Sequence, residues 1–129
     1  MKVEKTLREY DEEAIEKLLL YKSVTKASED TLVLSDGTEL TIVPNDGGCS
    51  CGAGDYYIKE LNGCENMITS VLFDKKEEND SFYYGNRTYQ IFVYAENKKI
   101  NLLSVEGDDG SGYYGTGYRI DVCFPQLDG

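Results

Sequence analysis

From residue 23 onward, short runs in which apolar and polar residues alternate dominate the sequence. These runs cover residues 23–27, 31–34, 39–43, 56–61, 67–73, 88–95, 99–105 and 118–124. A period of two is typical of strands that bury one face, and residues that favour turns separate the runs. We therefore expect about seven short antiparallel strands over most of the chain.

Turn signals place the boundaries between these strands. Asp36-Gly37 supplies the positive φ angles of a tight primed hairpin turn, and Asn62-Gly63 is expected to turn the chain again. Pro44 is expected to end its strand, because proline cannot donate to a sheet. Residues 75–85 are polar and acidic, so we expect a mobile loop there whose first half, 75–80, tolerates replacement by a Gly-Ser linker.

Residues 10–21 have a different pattern. They are good helix formers with acidic residues at the start and apolar residues on one face. The fold class that this predicts is α+β, with the N-terminal helix packed on an antiparallel β meander in the form of a roll, a sandwich or an open barrel. At 129 residues the chain is expected to be one domain, 1–129, with a helical segment at 1–22 and a β-rich body at 23–129.

Acidic residues outnumber basic ones by 24 to 13, which gives a formal net charge of −11. Such a chain repels phosphate backbones and anionic membranes, so we expect neither direct nucleic-acid binding nor membrane docking. It favours a partner with a basic protein surface, and a carboxylate-studded sheet could occupy the basic channel of a nucleic-acid-handling enzyme.

The sequence contains no histidine. This removes the commonest general base, the nucleophile pairs that depend on histidine, and every metal site with a histidine ligand. We therefore expect a protein that is not an enzyme and that carries no cofactor, with zinc as the alternative.

The first residues contain no apolar stretch of the kind found in secretory signal peptides. The expected location is the cytoplasm. In a reducing compartment the four cysteines are expected to be thiols or metal ligands rather than disulfides.

Cys49 and Cys51 lie on a glycine-rich segment, and Cys64 follows after the next turn. If Asn62-Gly63 folds the chain back, the three thiols converge, and Cys123 or Asp55 would complete a tetrahedral zinc shell. Ordinary structural thiols are the main alternative to a zinc site, and a vicinal redox pair is the third interpretation. No basic residue lies beside these cysteines to lower their pKa, so a catalytic thiolate is not expected.

Residues 106–117 are rich in glycine, and 110–115 match the string G-x-G-x-x-G. A dinucleotide site needs that string between a strand and a helix, whereas a strand follows here. We interpret the segment as a tight loop with tyrosines packed beside it.

Tyrosines occur as adjacent pairs at residues 56–57, 83–84 and 113–114. Neighbouring residues on a strand point to opposite faces, so each pair can bury one ring and present the other. Exposed tyrosines beside carboxylates are typical of protein-binding surfaces, although tyrosine is also simply a good strand residue. The predicted partner-binding residues are Tyr83, Tyr84, Asp108, Asp109, Tyr113 and Tyr114.

Several strings resemble a small domain family of unknown function that occurs mainly in bacteriophage and prophage proteins. They are G-G-C-S-C at residues 47–51, L-N-G-C-E-N-M-I at 61–68, Y-Q-I at 89–91 and S-G-Y-Y-G at 111–115. The likeness covers roughly residues 30–122. It implies a phage accessory protein, located in the cytoplasm of a bacterial host, and transfers no activity.

Together these observations predict a non-enzymatic protein-binding module of phage or prophage origin, acting as an inhibitor of a host or defence enzyme. The alternative is a small zinc or redox protein centred on Cys49, Cys51 and Cys64.

Overall fold

A computed structural model describes residues 4–8, 10–46, 56–78, 86–108 and 116–125. These ranges hold nine strands and one helix. The elements are β1 (Lys5–Arg8), α1 (Glu12–Leu19), β2 (Val24–Ser28), β3 (Thr31–Leu34), β4 (Glu39–Asp46), β5 (Tyr57–Leu61), β6 (Ser70–Glu78), β7 (Asn86–Ala95), β8 (Lys98–Asp108) and β9 (Thr116–Cys123). No helix in these ranges has the length and apolar character needed to cross a membrane.

The strands form two antiparallel sheets. The first has five strands in the order β1-β9-β4-β3-β2, and the second has four in the order β5-β8-β7-β6. Hairpins account for the β2–β3, β3–β4, β6–β7 and β7–β8 pairs, whereas β1–β9, β4–β9 and β5–β8 join strands that are distant in sequence. Strand β6 therefore lies at an edge of the second sheet, and β2 at an edge of the first.

One hydrophobic core lies between the sheets, and alternation along the strands fills it. In β9, Tyr118, Ile120 and Val122 are buried, while Arg119 and Asp121 between them are partly exposed. Each strand with this pattern contributes every second side chain to the shared core, which is the usual arrangement where two sheets pack face to face.

Helix α1 is short and amphipathic. Ile15 and Leu19, one turn apart, are each 1% exposed and pack into the core. Acidic residues occupy the first turn and Lys17 the last, which suits the helix dipole. The helix ends before Tyr21, which adopts a φ of 66° and donates its N–H to the carbonyl of Ile68 at 2.8 Å.

Two hairpin turns explain the local register. Gly37, with a φ of 93°, closes the β3–β4 turn, as expected, but Asp36 does not share its positive φ, so this is not a primed turn. The β7–β8 turn does have that form: Ala95 pairs with Lys98, and both residues between them, Glu96 and Asn97, have positive φ.

The α+β fold class predicted from the sequence is wrong. In the described ranges the molecule is mostly β, and the one helix there is an eight-residue element between β1 and β2 rather than a layer packed on a meander. The meander fails because β9 inserts between β1 and β4, and β5 pairs with β8. Burial in a shared core selects these strand partners. Alternation of apolar and polar residues predicts where the strands are but not which strands pair.

Three smaller predictions also need correction. Residues 75–78 belong to β6 and pair with β7 from Lys75–Tyr89 to Glu78–Asn86, so this half of the predicted mobile loop is strand; residues 79–85 lie outside the described ranges.

Pro44 does not end β4, which continues to Asp46 beside β9. Proline is tolerated there because β3 stops pairing with β4 at Thr41.

The third correction concerns Asn62-Gly63, which does not form a hairpin. Strand β5 ends just before Asn62 and pairs with β8. In the connection from β5 to β6, Cys64 forms an isolated β-bridge with Val24. The turn prediction holds only in that the strand stops at Leu61.

Candidate functional site

The tyrosine pair at residues 56–57 divides between core and surface, as the sequence predicts. Tyr56 is 3% exposed and Tyr57 is 52% exposed. The ring of Tyr56 lies 6.0 Å from that of Tyr89, which in turn meets Tyr118 of the first sheet. The three buried rings join the two sheets at the end where β5, β7 and β9 begin.

This end of the molecule is also where the chain leaves the described ranges. Pairing of Glu78 with Asn86, Asn86 with Asp108, and Asp46 with Thr116 shows that β6, β8 and β4 end where β7 and β9 begin. Most of the site residues predicted from the sequence lie outside the described residues, and the structure describes only the strand backbone of another, Asp108. Those outside are Cys49, Cys51, Tyr83, Tyr84, Asp109, Tyr113 and Tyr114.

A small cavity opens beside the buried rings. Its volume is about 190 Å³, and its lining joins the start of α1 to strands β6, β7 and β9: Tyr10, Glu12, Phe73, Asp74, Lys75, Tyr89, Gln90 and Tyr118. We call it the tyrosine cavity. The ammonium of Lys75 lies 5.5 Å from the centroid of the Tyr89 ring, close enough for a cation–π contact.

A shallow groove of about 440 Å³ lies beside this cavity, between α1 and the edge strand β6. It is lined by Glu12, Glu13, Glu16, Val71, Leu72 and Phe73, and we call it the α1–β6 groove. Glu12 and Phe73 line both depressions, so the two are adjacent. One wall carries carboxylates and the other carries apolar side chains.

Charge in the groove is negative. Three carboxylates line it, and one of them takes part in an exposed ion pair between Lys17 and Glu13, with Nζ and Oε1 3.5 Å apart. An exposed pair of this kind contributes little stability and is easily exchanged for another cation. Leu72 is 42% exposed and offers apolar surface beside these carboxylates. The arrangement suits a cationic side chain next to an apolar one.

Cys64 is buried in the core. It is 2% exposed, and its thiol donates to the carbonyl of Asn66, with Sγ and O 3.3 Å apart. Burial raises the pKa of this thiol above its ordinary value, which disfavours the thiolate that a metal would need. In the part of the chain that the structure describes, no three cysteine or acidic side chains cluster as metal ligands. Convergence with Cys49 and Cys51 stays a prediction.

Sequence reasoning missed the residues that line the two depressions. Glu12, Glu13 and Glu16 lie within the predicted helix, where the pattern indicates only that the acidic residues at its start interact favourably with the helix dipole. A usable signal was the run Val71-Leu72-Phe73, because three consecutive apolar residues on a strand leave one side chain on the outward face. That Tyr10 and Glu12 meet β6 depends on how the helix packs, which no local pattern shows.

Comparison with known proteins gives one result. No curated protein and no solved structure matches the chain. The family model described as Domain of unknown function (DUF7448) matches residues 17–120, which leave out β1, most of α1 and the last three residues of β9. The expectation of a domain family of unknown function is thereby confirmed at the level of the family, and the chain belongs to the DUF7448 family.

Proposed function

We propose that this protein is a non-enzymatic protein-binding module that receives a basic segment of its partner in the α1–β6 groove. The observation that carries the proposal is the placement of Glu12, Glu13 and Glu16 along a groove whose other wall includes the exposed Leu72. Carboxylates would steer and orient a cationic segment, and Leu72 would contact an apolar side chain next to it.

The wider role that we propose is that of a bacteriophage or prophage accessory protein in the cytoplasm of a bacterial host. There it would inhibit a host or defence enzyme by covering a basic surface. The net charge of −11 and the resemblance described above support this role. Inhibition would need only occupancy of the basic surface, so it requires no catalytic group on this chain.

A pair of charge variants tests the groove. The variant Glu12→Gln/Glu13→Gln/Glu16→Gln removes three charges from the groove, and the control Glu29→Gln/Asp30→Asn/Glu65→Gln removes three exposed charges elsewhere. Both change the net charge equally, so long-range attraction falls to the same extent. We expect a partner captured from host lysate by the wild-type protein to be lost with the groove variant and kept with the control. If both variants retain the partner equally, the groove is not the binding site.

Binding kinetics of the recovered complex distinguish long-range electrostatic attraction from the short-range contact that Leu72 makes. Raising the salt concentration should slow association and leave dissociation nearly unchanged, because salt screens long-range attraction. Leu72→Ala should raise the dissociation rate by about tenfold if Leu72 is a hot spot. Met67→Ala is the matched control, since Met67 is also an exposed apolar residue, at 54%, but does not line the groove.

A further inference from the structure

The tyrosine cavity has the size and composition of a site for one side chain. Its volume of about 190 Å³ is below the ~300 Å³ at which sites for drug-sized ligands begin. Aromatic rings form much of the lining: Tyr89 and Tyr118 are almost fully buried, and Tyr10 is 74% exposed. Glu12, at the first residue of α1, adds a carboxylate. Rings together with a carboxylate favour a cation over an anion or a neutral group.

Lys75 shows where such a cation would lie. Lys75 pairs with Tyr89 across β6 and β7, so the two side chains share a face of the sheet, and the ammonium lies over the ring. The ammonium ends a flexible four-carbon stem, and the residue is exposed. A planar guanidinium stacks on an aromatic ring with less loss of hydration than an ammonium, so it could replace the Lys75 contact.

We propose that the tyrosine cavity binds the guanidinium of one arginine side chain from the basic partner, at the position over Tyr89 where the Lys75 ammonium now lies. This inference rests on the proposed function, because the arginine belongs to the segment that the α1–β6 groove receives. Since the cavity and the groove share Glu12 and Phe73, an arginine in the cavity would place the residues next to it in the groove. Lys75 would then limit affinity by competing for the same ring.

The probe that tests the cavity is L-argininamide, with L-citrullinamide as its counterpart of nearly the same shape, in which an uncharged ureido group replaces the guanidinium. Both are titrated into the whole ¹⁵N-labelled protein and followed by NMR. We expect argininamide to shift the amide signals of residues 10–12, 73–75, 89–90 and 118, and citrullinamide to leave them unchanged. Equal shifts from both probes would overturn the proposal, and so would argininamide shifts spread over the acidic surface without a focus at the cavity.

Two lysine variants show whether Lys75 competes. Lys75→Met and Lys76→Met remove the same charge from neighbouring positions of β6, but Lys76 lies on the opposite face of the strand and does not line the cavity. We expect Lys75→Met to bind argininamide about fivefold more tightly than Lys76→Met does. Equal affinities would mean that Lys75 and the probe do not share a position, which would overturn the proposal.

The readouts for the groove and the cavity can fail separately. Lys75 does not line the groove, so its variants report on the cavity alone. Argininamide that binds the cavity, together with a partner that ignores neutralisation of the groove, would refute the proposed function and leave the cavity assigned. A partner that needs the groove, together with argininamide that shows no focus at the cavity, would refute only the arginine site.

Discussion

The ring of Tyr118 in β9 meets the ring of Tyr89 in β7 edge-on, with their centroids 5.9 Å apart and their planes at 78°. The two residues belong to different sheets, so this contact fastens the sheets together at one end of the core. Edge-to-face geometry is the favourable arrangement of two rings, because it places the positive edge of one against the negative face of the other.

Removing this contact should cost considerable stability. Tyr118 is 2% exposed, and Tyr118→Ala should lower the free energy of unfolding by about 3–5 kcal/mol, as for other buried aromatic residues. Tyr57→Ala is the control, since Tyr57 is half exposed and should cost less than about 1 kcal/mol. Urea denaturation measures both. Similar losses from the two variants would show that the sheets do not depend on the buried rings.

The β7–β8 turn contains backbone strain that a substitution should relieve. Glu96 has a φ of 51°, a conformation that asparagine and glycine adopt more readily than glutamate. Glu96→Asn should therefore raise the free energy of unfolding by roughly 0.5–1 kcal/mol. It loses only an exposed hydrogen bond from Asn66, at 3.3 Å. Glu65→Asn, at an exposed position without positive φ, should show no such gain in the same denaturation experiment.

The parts of the fold that the sequence predicts correctly depend on neighbours along the chain. Alternation located β3, β7 and β8, and the pairing of β3 with β4 follows from the turn that contains Gly37. Strand β1 was missed because Lys5–Arg8 is only four residues long and mostly polar. It is a strand because β9 pairs with it, and that pairing spans more than a hundred residues. The tyrosine cavity has the same origin, since Tyr10 follows β1, Tyr118 lies in its distant partner β9, and Tyr89 comes from the other sheet.

Asp36 should make stability depend on pH. Partial burial alone would raise the pKa of its carboxyl, but hydrogen bonding from Thr38 and the ammonium of Lys22 outweigh this and hold the pKa below its ordinary value of 3.8. Thr38 N donates to Oδ1 at 3.0 Å, and Lys22 Nζ lies 3.2 Å from Oδ2. A carboxyl with a lowered pKa stabilises the folded state above the ordinary value, and that contribution disappears as pH falls through the folded value.

Comparison of wild type with Asp36→Asn tests this. The variant should be less stable at pH 7, and the difference should shrink below about pH 4 as the wild-type carboxyl protonates. High salt should reduce the part that Lys22 contributes, so Lys22→Met should resemble high salt and keep the Thr38 contribution. Denaturation at a series of pH values provides the measurement. A difference that stays constant down to pH 2 would contradict the lowered pKa.

Cys64 should resist alkylation in the folded protein. It is buried, its backbone exchanges hydrogen bonds with Val24 at 2.7 and 3.2 Å, and its thiol pKa is raised by burial, so both access and the thiolate fraction are low. Iodoacetamide should modify it about a hundredfold more slowly than in the urea-unfolded chain, because reaction requires local opening. Mass spectrometry of the peptides gives the rate, and the partly exposed Cys123 provides a comparison within the same chain. Modification of Cys64 at the unfolded rate would place its thiol in solvent.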